Sequence, residues 1–88
     1  MAEQILFVDD EQYILEIAQA IFEDEGLSIM TATSGEEALE KVRAGEVAVV
    51  VSDNHLGGMT GLELLSLVKA FSPDTVKILM TGFADLET

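Results

Sequence analysis

Four short segments dominated by β-branched and other apolar residues punctuate the chain: "QILFVD" (4–9), "LSIMTA" (27–32), "VAVVVS" (47–52) and "VKILMT" (76–81). Longer stretches between them repeat their apolar residues with helical period. Strand-length runs that alternate with helix-length periodic segments are the pattern of β-α-β units, in which crossover helices join parallel strands. The spacing therefore predicts an α/β fold, a doubly wound parallel sheet of four strands joined by three helices. "VAVVV" shows no polar alternation, as expected of an inner strand covered by helices on both faces.

The helices follow from spacing and caps. In the first, Ile14, Ile17, Ala18, Ile21 and Phe22 form the expected buried stripe, with Glu16, Glu23 and Asp24 opposite and Gly26 as the stop. In the second, Ser34 and Glu37 fit a capping box, Ala38, Leu39 and Val42 supply the stripe, and Gly45 ends it. In the third, Thr60 and Glu63 repeat the capping pattern, Leu62, Leu65 and Val68 to Phe71 form the apolar face, and "SPD" (72–74) breaks it. Eighty-eight residues make one small domain without repeat or linker. A chain of that size buries roughly 60–65% of its unfolded surface.

Charge narrows the partners. Four Lys and Arg against seventeen Asp and Glu give a formal charge of −13. Direct contact with nucleic acid is disfavoured, since such binding depends on basic side chains neutralising phosphates, and anionic membrane surfaces are disfavoured likewise. The absence of cysteine excludes disulfides, thiolate catalysis and cysteine-ligated zinc. The N-terminus has no basic n-region and no apolar run reaches a membrane span, so a cytoplasmic location is expected.

In doubly wound sheets ligands gather beyond the carboxyl ends of the strands. The first strand runs into Asp9 and Asp10, the third into Asp53, and the fourth into Thr81. If the first and third strands are neighbours, three carboxylates share one crevice and need a cation or a proton to relieve their repulsion. Magnesium suits them, as a hard ion that takes oxygen ligands and is held by one or two carboxylates plus a phosphate. An acid after a strand also serves as a turn former, and Asp9 and Asp10 alone leave both readings open. Asp53 at a second strand end and the Thr81 hydroxyl at a third favour a site.

"ILFVDDEQYI", "VVVSDNHLGGMTGLELL" and "ILMTGFAD", in this order and at these separations, resemble the landmarks of response-regulator receiver domains, from about Gln4 to Asp85. The resemblance implies a flavodoxin-like fold with strand order 2-1-3-4-5 and an aspartate, at Asp53, that accepts a phosphoryl group from a sensor histidine kinase. It further implies that Asp10 and Asp53 bind Mg²⁺ directly, Asp9 through water, and the backbone carbonyl of His55 as another ligand. Thr81 would bond the phosphoryl oxygen and relay the change to the surface.

Three departures accompany the resemblance. Receivers usually carry a proline where this chain has Gly57, followed by Gly58, which suggests a loop that orders on metal binding. Receivers have five strands and five helices, and a lysine at the end of the fifth strand contacts the phosphoryl group. Residues 1–88 match the first four strands and three helices, and neither Lys69 nor Lys77 is placed to substitute. The expectation is therefore a partial receiver domain from a longer protein with an output domain, lacking its C-terminal strand and last helices and impaired in phosphoryl transfer. The exposed edge of "VKILMT" would favour self-association.

Other readings compete. A degenerate receiver acting as a phosphorylation-independent interaction module is the runner-up, opposed by the presence of Asp9, Asp10, Asp53 and Thr81 together. "DNHLGG" also fits D-x-H-x-x-G of cobalamin-binding domains, with His55 on cobalt, but that motif normally follows a first strand. Haloacid-type phosphatases need an aspartate where His55 stands, and serine or cysteine triads lack their parts. Enzymatic turnover of a separate substrate is not expected.

Overall fold

The computed structural model describes residues 4–45 and 47–80. The first strand, β1 (Gln4–Val8), leads into helix α1 (Gln12–Asp24), then β2 (Ile29–Ala32), α2 (Gly35–Arg43) and β3 (Val47–Asp53). A two-residue pair, β4 (His55–Leu56) and β5 (Met59–Thr60), precedes α3 (Gly61–Phe71) and β6 (Val76–Met80). The main sheet is parallel with order β2-β1-β3-β6, so the predicted doubly wound α/β architecture is what the chain adopts. Expected segments 4–9 and 27–32 shorten by a residue or two, 76–80 forms a strand as expected, and Thr81 lies outside the described residues. No described helix is long and apolar enough to cross a membrane.

One face of the sheet is closed. Leu6 and Val8 of β1, Val50 of β3, Ala38 and Val42 of α2, and Leu64, Leu65 and Val68 of α3 form a single buried cluster. The α2 stripe is as predicted, whereas on α3 the buried residue is Leu64, and Leu62 is 61% exposed. Leu62 and Leu65 are three apart and could share a face, but Thr60 caps the helix and Gly61 is drawn inward, which turns the 61, 64, 65, 68 positions to the sheet. Arg43 lies over the Phe71 ring, 4.5 Å from its centre, and ties the ends of α2 and α3 together.

Among the described residues, the other face carries α1 alone. Leu15 and Ala18 are buried, and Phe22 meets Phe7 of β1 with ring centres 5.6 Å apart. Ile17 and Ile21, expected in the buried stripe, are instead 51% and 57% exposed. A helix is about 10 Å across and strands lie about 4.8 Å apart, so one helix covers two strands. Here it contacts β1 and β2, leaving Val49 and Val51 of β3 half-buried and Val76 and Ile78 of β6 open. The expectation that β3 is buried on both faces thus holds on only one.

The caps hold in part. Thr60 and Glu63 form a reciprocal box, the Thr60 hydroxyl accepting from Glu63 N at 3.0 Å and the Glu63 carboxylate accepting from Thr60 N at 2.9 Å. Ser34 Oγ accepts from Glu37 N, but the Glu37 carboxylate turns to Thr33, accepting from its N–H at 2.8 Å and from its hydroxyl. Those Thr33 bonds, with Lys41 nearby, hold the Glu37 carboxyl below the ordinary range.

The observed α3 register yields a direct comparison. Leu64→Ala is expected to cost about 3 kcal/mol by urea unfolding, while Leu62→Ala changes stability by about 0.5 kcal/mol or less. Equal losses at the two positions would contradict this packing.

Candidate functional site

Parallel pairing of β1 with β3, in register at Val8 and Ser52, brings their carboxyl ends side by side. Asp9 and Asp10 leave the first strand and Asp53 closes the third. One carboxylate oxygen from each lies within 4.8 Å of the others, with Asp9 buried, Asp53 half-buried and Asp10 exposed. The three acids singled out in the sequence are therefore brought together. The strand-neighbour condition on which that reading depended is met.

Asp9 and Asp53 are held by local bonds. Asp9 N–H donates to the Ala32 carbonyl at 3.1 Å, extending the β1–β2 ladder by one step. Its Oδ1 accepts from Glu11 N at 2.9 Å, which turns the chain into α1. The Ser52 hydroxyl, fully buried, donates to the Asp53 carbonyl at 2.9 Å. Just beyond, Gly61 N–H donates to the Asn54 carbonyl at 2.8 Å, so the start of α3 grips the loop leaving β3. The sequence reading missed both contacts. Their only signals are a serine inside a valine run and a glycine directly after a capping threonine.

The loop after Asp53 is a hairpin rather than an open turn, with His55 opposite Thr60 and Leu56 opposite Met59. Gly58 N–H closes a tight turn on the Leu56 carbonyl at 2.7 Å, and Gly57 sits at φ +75°. Proline, fixed near φ −65°, could not take that conformation. Glycine at 57 thus selects a differently shaped turn, where the sequence suggested only a looser loop. His55 is exposed on this hairpin. A surface cleft of about 510 Å³, lined by Val47, Ser72, Thr75 and Val76 among others, lies at the opposite end of the strands.

Burial is the main cause that pushes the Asp9 carboxyl above its ordinary range; the Glu11 N–H opposes it, and the charges of Asp53, Asp10 and Glu11 add to it. Two unit charges at 4.8 Å repel by about 3.5 kcal/mol at an effective dielectric near 20. The basic side chains of the chain are engaged elsewhere: Lys41 donates to the Thr31 carbonyl, Arg43 covers Phe71, Lys77 bonds the Thr75 carbonyl, and Lys69 is exposed in the last turn of α3. A cluster of hard oxygen donors without a protein cation fits a small divalent ion.

The comparisons bear on the same residues. The model of the family "response regulator receiver domain" matches residues 5–88. The chain belongs to this family. It is 36% identical over 84 residues to the transcriptional regulatory protein YvrH of Bacillus subtilis, covering 94% of this chain and 35% of that protein. The chain thus spans about a third of that relative's length. Its structure matches the response regulator TrrA of Thermotoga maritima in complex with Mg²⁺-BeF, with TM-score 0.87 and 36% identity over 94% of this receiver and 72% of that chain. It also matches a response regulator of Burkholderia pseudomallei that holds a phosphorylated aspartic acid and a calcium ion, with TM-score 0.83 and 26% identity over 92% of this chain and 48% of that one.

The Asp9 environment sets the sign of a pH effect. A carboxyl whose proton is held more tightly in the folded chain favours folding below its ordinary pKa, and that contribution is lost as pH rises through the raised value. Asp9→Asn is therefore expected to raise the melting temperature of the metal-free chain at pH 7 and to leave it nearly unchanged at pH 3. A drop in melting temperature at pH 7 would show that the ionised Asp9 is well compensated.

Proposed function

We propose that this receiver takes a phosphoryl group onto Asp53 from a phosphohistidine of a sensor histidine kinase. The observation that carries the reading is the convergence of Asp9, Asp10 and Asp53 within 4.8 Å at the ends of adjacent strands. A phosphorylated aspartate in the Burkholderia relative and Mg²⁺-BeF in the Thermotoga relative support it. An Asp53 carboxylate oxygen attacks phosphorus, forming a P–O bond as the P–N bond to imidazole breaks, and the imidazole leaves with a proton from solvent. The work of the protein is to place the acceptor and balance charge.

Asp10 and Asp53 would hold Mg²⁺ directly, Asp9 through a water, and the His55 carbonyl would complete the protein ligands. When bound, the ion offsets the carboxylate charge and that developing on the transferred group. Asp9, buried and pinned by Glu11 N–H, orients the set from below. Thr81 follows Met80, which pairs with Asp53 across β3 and β6, and in this reading its hydroxyl meets the phosphoryl oxygen. The position of Thr81 itself lies outside the described residues.

Residues 1–88 would then form the first four strands and three helices of the receiver, in a cytoplasmic regulator whose output domain answers to the phosphorylation state. Acetyl phosphate labelling with Mg²⁺ tests the acceptor. Label should appear on the wild-type chain and vanish in Asp53→Asn; label that persists in Asp53→Asn would refute the assignment. With all four basic side chains engaged or placed away from the acids, labelling should run about 100-fold slower than in a relative that supplies a cation to the phosphoryl group.

A second reading rests on β6. Its outer edge has no strand partner among the described residues, and Val76 and Ile78 are 55% and 45% exposed. Such an edge recruits another strand, so two copies are expected to pair there. Light scattering should show a concentration-dependent dimer that Ile78→Lys abolishes, and a monomer at millimolar concentration would exclude it. Binding of a partner by this face without any Asp53 labelling would instead favour the phosphorylation-independent interaction module.

A further inference from the structure

Gly61 opens α3, and its φ is not in the left-handed region that demands glycine. Alanine would be the better helix former there on intrinsic propensity. Space explains the glycine instead. A Cβ on Gly61 would overlap the Asp53 carbonyl oxygen and would lie 2.9 Å from Leu79 Cδ1 and 3.0 Å from Asn54 Cα. Unlike the end of a flexible side chain, that carbonyl belongs to the backbone and cannot swing aside alone.

The Asp53 carbonyl is thus enclosed on two sides. The Ser52 hydroxyl donates to it, and the bare Cα of Gly61 closes against it. Gly61 N–H simultaneously donates to the next carbonyl, that of Asn54. Rotation of the 53–54 peptide would break the Ser52 hydroxyl bond or drive the Asp53 oxygen into the start of α3. The far end of the hairpin meets a second glycine through a side chain: a Cβ on Gly35, the first residue of α2, would lie 2.5 Å from Met59 Sδ and 2.6 Å from its Cγ. Two helix starts therefore receive the segment from Asp53 to Thr60 through gaps left by glycine.

We propose that Gly61 is a positioning residue for Asp53: its missing side chain lets α3 press on the 53–54 peptide and so fixes the Asp53 carboxylate and the His55 carbonyl relative to Asp9 and Asp10. This rests on the phosphoacceptor reading above for its functional meaning. Gly61 touches neither metal nor phosphoryl group. Its effect passes through the backbone of the acceptor.

The test titrates the 88-residue chain with Mg²⁺ by calorimetry, comparing Gly61→Ala with Val68→Ala. Val68 is fully buried on the same helix, two turns further along, and its truncation lowers stability without reaching the acids. Gly61→Ala is expected to weaken Mg²⁺ binding about tenfold, and Val68→Ala to leave it within about twofold of wild type. Unchanged affinity in Gly61→Ala, or equal weakening in Val68→Ala, overturns the proposal. If Gly61→Ala does not fold, Ser52→Ala, which frees the same Asp53 carbonyl on its other side, takes its place with an expected loss of about threefold, and no loss overturns the proposal. A wild-type chain that binds no Mg²⁺ would sink the phosphoacceptor reading instead. The seat is then decided without metal, by amide shifts of Asp53, Asn54 and His55: moved in Gly61→Ala but not in Val68→Ala supports it, and unmoved in both overturns it.

Discussion

The pairing of β1 with β3 is the contact on which the rest of the molecule depends. It joins segments some forty residues apart, and it is what turns three acids scattered along the sequence into one cluster. Parallel neighbours end at the same edge, so a ladder in register at Val8 and Ser52 leaves the chain no choice but to deliver Asp9 and Asp53 to the same layer. The valines of β3 supply burial energy on the α2–α3 side, and that energy opposes the repulsion among the acids. Apolar packing below thus holds together charges that would otherwise separate.

Much of this was legible beforehand because it depends on short-range chemistry. Strand segments announced themselves by β-branched runs, helix α3 by Thr60 and Glu63, and the site by acids at strand ends. What escaped depends on neighbours that the sequence does not name. Periodicity put Ile14, Ile17, Ala18, Ile21 and Phe22 in one stripe on α1, and only the sheet decides that Leu15, Ala18 and Phe22 face inward while Ile17 and Ile21 do not. Likewise Leu62 and Leu64 are equally apolar, and the seating of Gly61 picks between them. The β4–β5 hairpin was missed because two-residue strands are too short for any alternation to show.

Glycine illustrates the same division between local and non-local causes. Gly57 is required by its own backbone, at φ +75°, and Gly-Gly between Leu56 and Met59 hints at such a turn. Gly35 and Gly61 are placed by what approaches them, the Met59 side chain in one case and the Asp53 carbonyl in the other. No propensity scale distinguishes these two kinds of glycine. They are separated only by asking what a methyl group would meet.

The unequal cover of the two sheet faces has a consequence for how the molecule breathes. Among the described residues, inner strands β1 and β3 are laced on both edges, whereas β6 is held by β3 alone and has no helix over its α1-side face. Local opening is least costly where buried apolar contacts are fewest, so amide protons should exchange with solvent soonest along β6 and last along β1. Thr81 directly follows this most readily released strand. The stiffest strands thus carry the acidic cluster, while the loosest described strand is the one that leads in sequence to Thr81.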